Sequence, residues 1–173
     1  MDITAKGFGN MLIEAGYKIL AGAFNLKPQI VPYDDLVKWS AYKMPNNIAL
    51  VSMDYKLHLI DWTTWKDIIA SDWTSTKKYA EDAFDCDNFA ITFAAHCSEL
   101  YNVTVAYVYG KAYKPDGTYI DMHYWNAMFT KEIDGSFHIY FFEPMNGTYG
   151  EYPGQGKFQF GTMIYEPKII TIF

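Results

Sequence analysis

The amino-acid sequence predicts an α+β fold in which N-terminal helices precede a meandering antiparallel sheet. Three observations carry this expectation. Apolar residues recur at helical spacing in stretches before Asn102 and alternate at strand spacing beyond it. Turn-forming groups, Pro115-Asp116-Gly117 and Asp134-Gly135, separate the alternating runs. A chain of 173 residues, 50% hydrophobic, is long enough to bury its own core as a single domain over 1–173.

Residues 10–24 place Leu12, Ala15, Ile19 and Phe24 at helical spacing, weakened by Gly16 and Gly22. Residues 1–50 are thus expected to form a helical N-terminal extension. Lys27-Pro28 and Val31-Pro32 force an extended link, because proline fixes φ and restricts the residue before it. Asp34 or Asp35 is expected to cap a short helix over 36–42 that stops before Pro45. A strand follows at 55–59. A helix over 63–71 then takes Trp62, Trp65, Ile68 and Ile69 as its apolar stripe. Residues 74–84 are polar and loop-like, and Asp85 is the natural N-cap of a helix over 86–101. Strands are expected at 103–113, 119–130, 137–143 and 164–173, with a glycine-rich loop over 147–156 before the last.

A net charge of −6 and a pI near 5.1 argue against a nucleic-acid backbone as partner, since phosphate binding needs a basic face. No run approaches the ~18 apolar residues of a membrane span. The chain opens Met1-Asp2 with no basic segment before its first apolar stretch, so it does not read as a signal peptide and a cytoplasmic location is expected. Cys86 and Cys97 would share one helix with their Cα atoms about 16 Å apart, beyond disulfide reach. Cys97 follows Phe93 and Ala94 and is expected to be a buried small hydrophobe.

Cys86 is the candidate nucleophile. A free thiol has a pKa of roughly 8.5, and nucleophilic attack needs the thiolate. A helix N-terminus favours the anion, and the Cys86 N–H could form half of an oxyanion hole. Asp85 and Asp87 oppose the anion by charge, so a histidine must supply the activation. The alternative is a cysteine that merely packs a helix start. His96 lies about 15 Å along the same helix and cannot reach. His58 and His138 read as structural residues on apolar strands. His123, at the start of a strong strand, is the candidate base.

Strand parity selects the third member. Side chains alternate along a strand, so Asn126 points away from the face carrying His123, Trp125 and Ala127. A two-residue Asp134-Gly135 turn would pair Glu143 with Asn126, on the wrong face. A three-residue loop with Gly135 left-handed pairs Glu143 with Trp125, diagonal to His123, and this register is the one expected. Trp125 and Asp85 flank the base and the nucleophile and are expected to bind substrate. Cysteine on a helix, histidine on a strand and an acid at the end of the next strand is the layout of a papain-like or transglutaminase-like thiol enzyme, its nucleophile helix packed on an antiparallel sheet.

The block Tyr79-Ala80-Glu81-Asp82-Ala83-Phe84-Asp85-Cys86-Asp87-Asn88-Phe89-Ala90 resembles the cysteine motif of a papain-like cysteine protease domain found at the C-terminus of a mushroom agglutinin, with similar motifs in small phage and bacterial proteins. In that family a D-C-D-D-F-A block carries the nucleophile, an H-x-x-N strand the base and an E-P pair the third residue. These match Cys86, His123 and Glu143-Pro144 here. The resemblance covers about 55–147, the expected catalytic core. It implies a cysteine hydrolase, a peptidase or amidase, acting on a peptide or protein substrate through an acyl-enzyme held by Cys86, His123 and Glu143. It also implies a divalent cation, calcium or manganese, with Asp85, Asp87 and Glu143 as candidate ligands. Two departures stand out: Asn88 replaces an aspartate that a hard cation would prefer, and no glutamine lies some six residues before Cys86. The alternatives are a catalytically inactive papain-like binding or structural module, such as a virion component, and a divalent-metal-binding module.

Overall fold

The computed structural model describes Gly16, Leu26 and residues 28–173. Apart from Gly16, the helix expected over 10–24 lies outside the described residues. In chain order the elements are β1 (Gln29–Pro32), α1 (Tyr33–Lys43), β2 (Ala49–Ser52), β3 (Lys56–Leu59), α2 (Trp62–Ser71), α3 (Cys86–Tyr101), β4 (Ala106–Tyr113), β5 (Tyr119–Lys131), β6 (Phe137–Glu143), β7 (Thr148–Glu151), β8 (Phe158–Phe160) and β9 (Met163–Ile172). The main sheet runs β2-β9-β4-β5-β6-β7, with β8 paired to β9, and β1 and β3 form a separate antiparallel pair.

Among the described residues, strands take 41% and helices 27%. The sheet therefore carries the architecture, and the expected helix-packed papain-like or transglutaminase-like α+β plan is corrected to a mainly β fold. The sequence reading missed β1, β2, β7 and β8. Each has three or four residues, too few for alternation to show, and Pro28, Pro32, Gly150 and Gly161 lie in or beside them. The C-terminal strand β9 is not peripheral. It lies between β2, parallel, and β4, antiparallel.

Both faces of the sheet are covered. On one, Trp125, Phe129, Phe141 and Tyr165 pack with Phe158, Leu36 of α1, and Leu57 and Leu59 of β3. On the other, Met128 and Phe142 pack against Phe93 and Cys97 of α3 and Trp65 and Ile68 of α2. The i, i+4 series Phe89, Phe93 and Cys97 explains why α3 buries this stripe. Phe84, just before the N-cap, meets Phe89 with ring centroids 4.7 Å apart, a hydrophobic staple that fixes the entry into the helix. Asn102 ends it in the left-handed conformation, its N–H returning to Ser98.

Asn126, on the α3 face of β5, is a buried clamp. Its Nδ2 donates to the Ala90 carbonyl at 2.9 Å and to the Ala106 carbonyl at 3.3 Å, tying helix to sheet. Replacing Asn126 with alanine should cost about 2–3 kcal/mol by leaving buried carbonyls short of a donor, read as a lower urea midpoint with unchanged slope.

The β5–β6 connection has the expected three-residue form. The Glu132 N–H donates to the Ser136 carbonyl at 2.9 Å, and Gly135 sits at φ 87°, a conformation that favours glycine. Asn126 pairs with Phe142, so the next pair outward sets Trp125 beside Glu143. On the opposite edge of β5, His123 pairs with Gly110 of β4. A methyl group on Gly110 would lie 2.7 Å from Trp125 Cη2 and 2.9 Å from the Pro167 Cα. Gly110→Ala should therefore destabilise by about 1–3 kcal/mol and disturb the strand segment carrying His123, read by thermal melting. Among the described residues, no helix is long and apolar enough to cross a membrane.

Candidate functional site

The loop before α3 closes on itself: the Ala80 N–H donates to the Phe84 carbonyl at 2.9 Å and the Phe84 N–H returns to Ala80 at 2.7 Å. Asp82 at its tip adopts φ 57°, which aspartate tolerates better than most residues. Asp85 holds the N-cap position and Cys86, partly exposed, begins the helix. Asn88 accepts from the Asp85 N–H at 3.3 Å, while the Asn88 N–H goes to Asp87 Oδ1 at 2.7 Å. Asp85 Oδ1 is left buried without a hydrogen-bond partner. Hydrogen bonding between the Asp85 and Asp87 carboxyl groups is the main cause that raises the Asp87 carboxyl above the usual range, with burial adding to it.

His123 Nε2 lies 2.6 Å from Glu143 Oε2. Glu143 is 2% exposed and fully engaged: Oε2 also accepts from the Tyr165 hydroxyl at 3.0 Å, and Oε1 accepts from the Met145 N–H at 3.2 Å. Burial disfavours the charged imidazole, but hydrogen-bonding interaction with the Cys86 thiol and with Glu143, and their charges, outweigh it and push His123 up to about 9. The three expected residues are thus brought together, and His123 keeps its proton at neutral pH. Burial, then the Glu143 charge, pushes the Tyr165 phenol up, so it stays a donor to the carboxylate.

These groups line a cleft of about 640 Å³, walled by Tyr79, Ile120, Tyr124 and Met163. Asp85 lines it as expected. Trp125 does not: it is fully buried, its ring 5.0 Å from Tyr165 and 6.0 Å from Phe141. Its expected substrate contact is corrected, because β9 and β6 cover that face of the strand. The sequence reading missed Tyr165, Tyr79 and Tyr124. Tyr165 lies on the C-terminal strand, outside the motif-bearing span, and its alternation with Pro167, both buried, was the available signal.

The remaining histidines are occupied structurally. His58 Nδ1 meets the Asn102 carbonyl at 3.1 Å, His96 pairs with Asp72 at 2.7 Å, and His138 with Glu151 at 2.7 Å. Cys97 is fully buried, and burial followed by the Asp72 charge pushes its thiol well above the ordinary range. Asp85 and Asp87 sit at the start of α3, whereas Glu143 is already shared by His123, Tyr165 and Met145. Among the described residues, no group of three or more His, Cys, Asp or Glu is arranged to hold a metal ion.

No protein-family model and no curated protein matches the chain. Solved structures do resemble it. The PSL1a–E64 complex shares 15% identity at a TM-score of 0.56, over 82% of this chain and 51% of that one. Polyporus squamosus lectin bound to the human-type influenza-binding epitope Neu5Aca2-6Galb1-4GlcNAc shares 19% identity at a TM-score of 0.49, over 70% and 42%. The chain therefore spans about half the length of the solved chains it matches. The family expected from the cysteine motif is corrected: no family model matches the chain, and the likeness to the PSL1a–E64 complex, at 15% identity, is one of fold and not of a papain-like protease family. The cysteine-hydrolase function, the peptide or protein substrate, and the thiol-protease, transglutaminase-like and phage-related descriptions are withdrawn with it. The residue pattern misled because a cysteine, a histidine and an acid in that order do not specify one fold. What the likeness to PSL1a shows is a shared fold.

Proposed function

We propose that Cys86, His123 and Glu143 form a reactive-thiol centre that captures an electrophilic ligand covalently. The single observation that carries this reading is the pair of part-buried His123 and buried Glu143 at 2.6 Å beside the partly exposed Cys86, at the mouth of a cleft. Glu143 fixes the imidazole, and His123 holds a proton as the cationic partner of a thiolate at a helix N-terminus. The thiolate attacks an electrophilic carbon, a carbon–sulfur bond forms, and the leaving group departs with the bonding electrons. Asp85, half-buried beside the thiol, shapes the entry to it.

Intact-mass analysis after incubation with iodoacetamide, and separately with E64, tests the proposal. One adduct per chain is expected, absent from Cys86→Ala, because Cys97 is inaccessible in the folded protein. No adduct from either reagent overturns it.

A second reading, glycan binding, is favoured by the half-exposed Tyr79 and by Tyr124 beside the cleft carboxylates, since aromatic faces and acceptors suit sugar rings and hydroxyls. No lysine lines this cleft, and the chain contains no arginine. An anionic sugar such as the Neu5Ac of the lectin's epitope would find no free counter-charge here, since His123 is committed to Glu143. Glycan-array binding confined to neutral or amine-bearing sugars, and weakened in Tyr79→Ala, supports this second reading.

A further inference from the structure

The proposed thiol centre sits in a strongly one-signed environment, and the inference that follows rests on that centre. Glu81, Asp82, Asp85, Asp87, Asp121 and Glu143 all line the cleft, and no lysine does. Among the described residues, none of the first five makes an ion pair. Asp121 accepts from the neighbouring Met122 N–H at 2.7 Å and hydrogen-bonds the Tyr119 side chain, both neutral partners that leave its charge uncompensated. Asp85 Oδ1 is buried with no partner, next to an Asp87 carboxyl that it already disturbs. Like carboxylates crowded into a partly desolvated cleft repel one another, and a cation entering between them relieves that cost.

We infer that this cleft selects ligands carrying a protonated amine, so that the electrophile presented to Cys86 arrives on a cationic molecule. The pairing of charge and wall is specific. Tyr79, Ile120 and Tyr124 offer apolar and aromatic surface for the stem of such a ligand, while Asp85 and Asp121 receive its ammonium. His123 supplies the one positive charge in the cleft, and it is committed to Glu143. An anionic ligand therefore finds no free counter-charge among the described lining residues.

The test compares three methanethiosulfonates with the same reactive group: 2-aminoethyl, methyl and 2-sulfonatoethyl, respectively cationic, neutral and anionic. In each, the Cys86 thiolate attacks the sulfenyl sulfur, a mixed disulfide forms and methanesulfinate leaves. Every rate is divided by the rate of the same reagent with free cysteine. The expected result is a normalised cationic-to-anionic ratio of at least about tenfold. It should shrink toward one in a Glu81→Gln, Asp82→Asn, Asp121→Asn variant and at about 1 M salt. These positions are exposed, and asparagine tolerates the left-handed backbone at Asp82, so folding is preserved and checked by melting. Equal normalised rates for all three reagents overturn the amine preference and leave the reactive centre standing. If none of them modifies Cys86, both readings fall.

Discussion

Iodoacetamide should label the folded protein at Cys86 and spare Cys97, and replacing His123 with alanine should slow the Cys86 reaction by about 100-fold at pH 6.5. The size follows from the thiolate fraction. A free thiol, with a pKa of roughly 8.5, is about 1% thiolate at that pH, and His123 is the group proposed to favour the anion beyond that. Because His123 holds its proton up to about 9, the rate should stay high across neutral pH until the imidazole deprotonates. Cys97 supplies the internal control, since it is fully buried and its thiol is pushed well up by burial. Peptide mapping by mass spectrometry across pH 6–9 reads both sites in one experiment.

Replacing Glu143 with alanine should destabilise the fold by about 3–5 kcal/mol. The change leaves the His123 imidazole and the Tyr165 hydroxyl buried without their shared acceptor and frees the Met145 N–H. Glu143→Gln keeps the shape and one acceptor, so it should recover part of the loss while removing the charge that favours imidazolium. The pH dependence has a definite sign. His123 is raised from 6.5 to about 9 in the folded state, so its contribution is fully present below 6.5 and is lost as pH rises through 9. Urea denaturation from pH 6 to 9.5 should show stability falling toward alkaline pH in the wild type, with a flatter curve for Glu143→Gln.

Much of the site's local geometry was legible in the sequence, and the architecture around it less so. Helix α3 announced itself through Phe89, Phe93 and Cys97 at i, i+4 spacing and through the Asp85 cap, because both signals lie within one contiguous stretch. The β5–β6 register was readable from parity and from the glycine in the loop, which together placed Glu143 on the His123 face. Trp125 shows the limit of the same argument. Parity set its face correctly but could not say that Tyr165 and Phe141 would cover it. That cover comes from β6 and from β9, the latter about forty residues further along, and sequence period says nothing about which strands become neighbours. Likewise β2 gave no alternation to read, yet it pairs parallel with the C-terminal strand. Family and function were the least legible, since a short cysteine motif reports local chemistry and leaves the surrounding fold open.

Titration of the His123 ring by heteronuclear NMR, in the wild type and in Cys86→Ser, tests the coupling of thiol, imidazole and carboxylate most directly. A wild-type midpoint near 9 that falls by a unit or more when the thiol is removed establishes the coupled centre. A midpoint near 6.5, indifferent to Cys86, would show a histidine that merely packs beside Glu143 and would contradict the reactive-thiol reading.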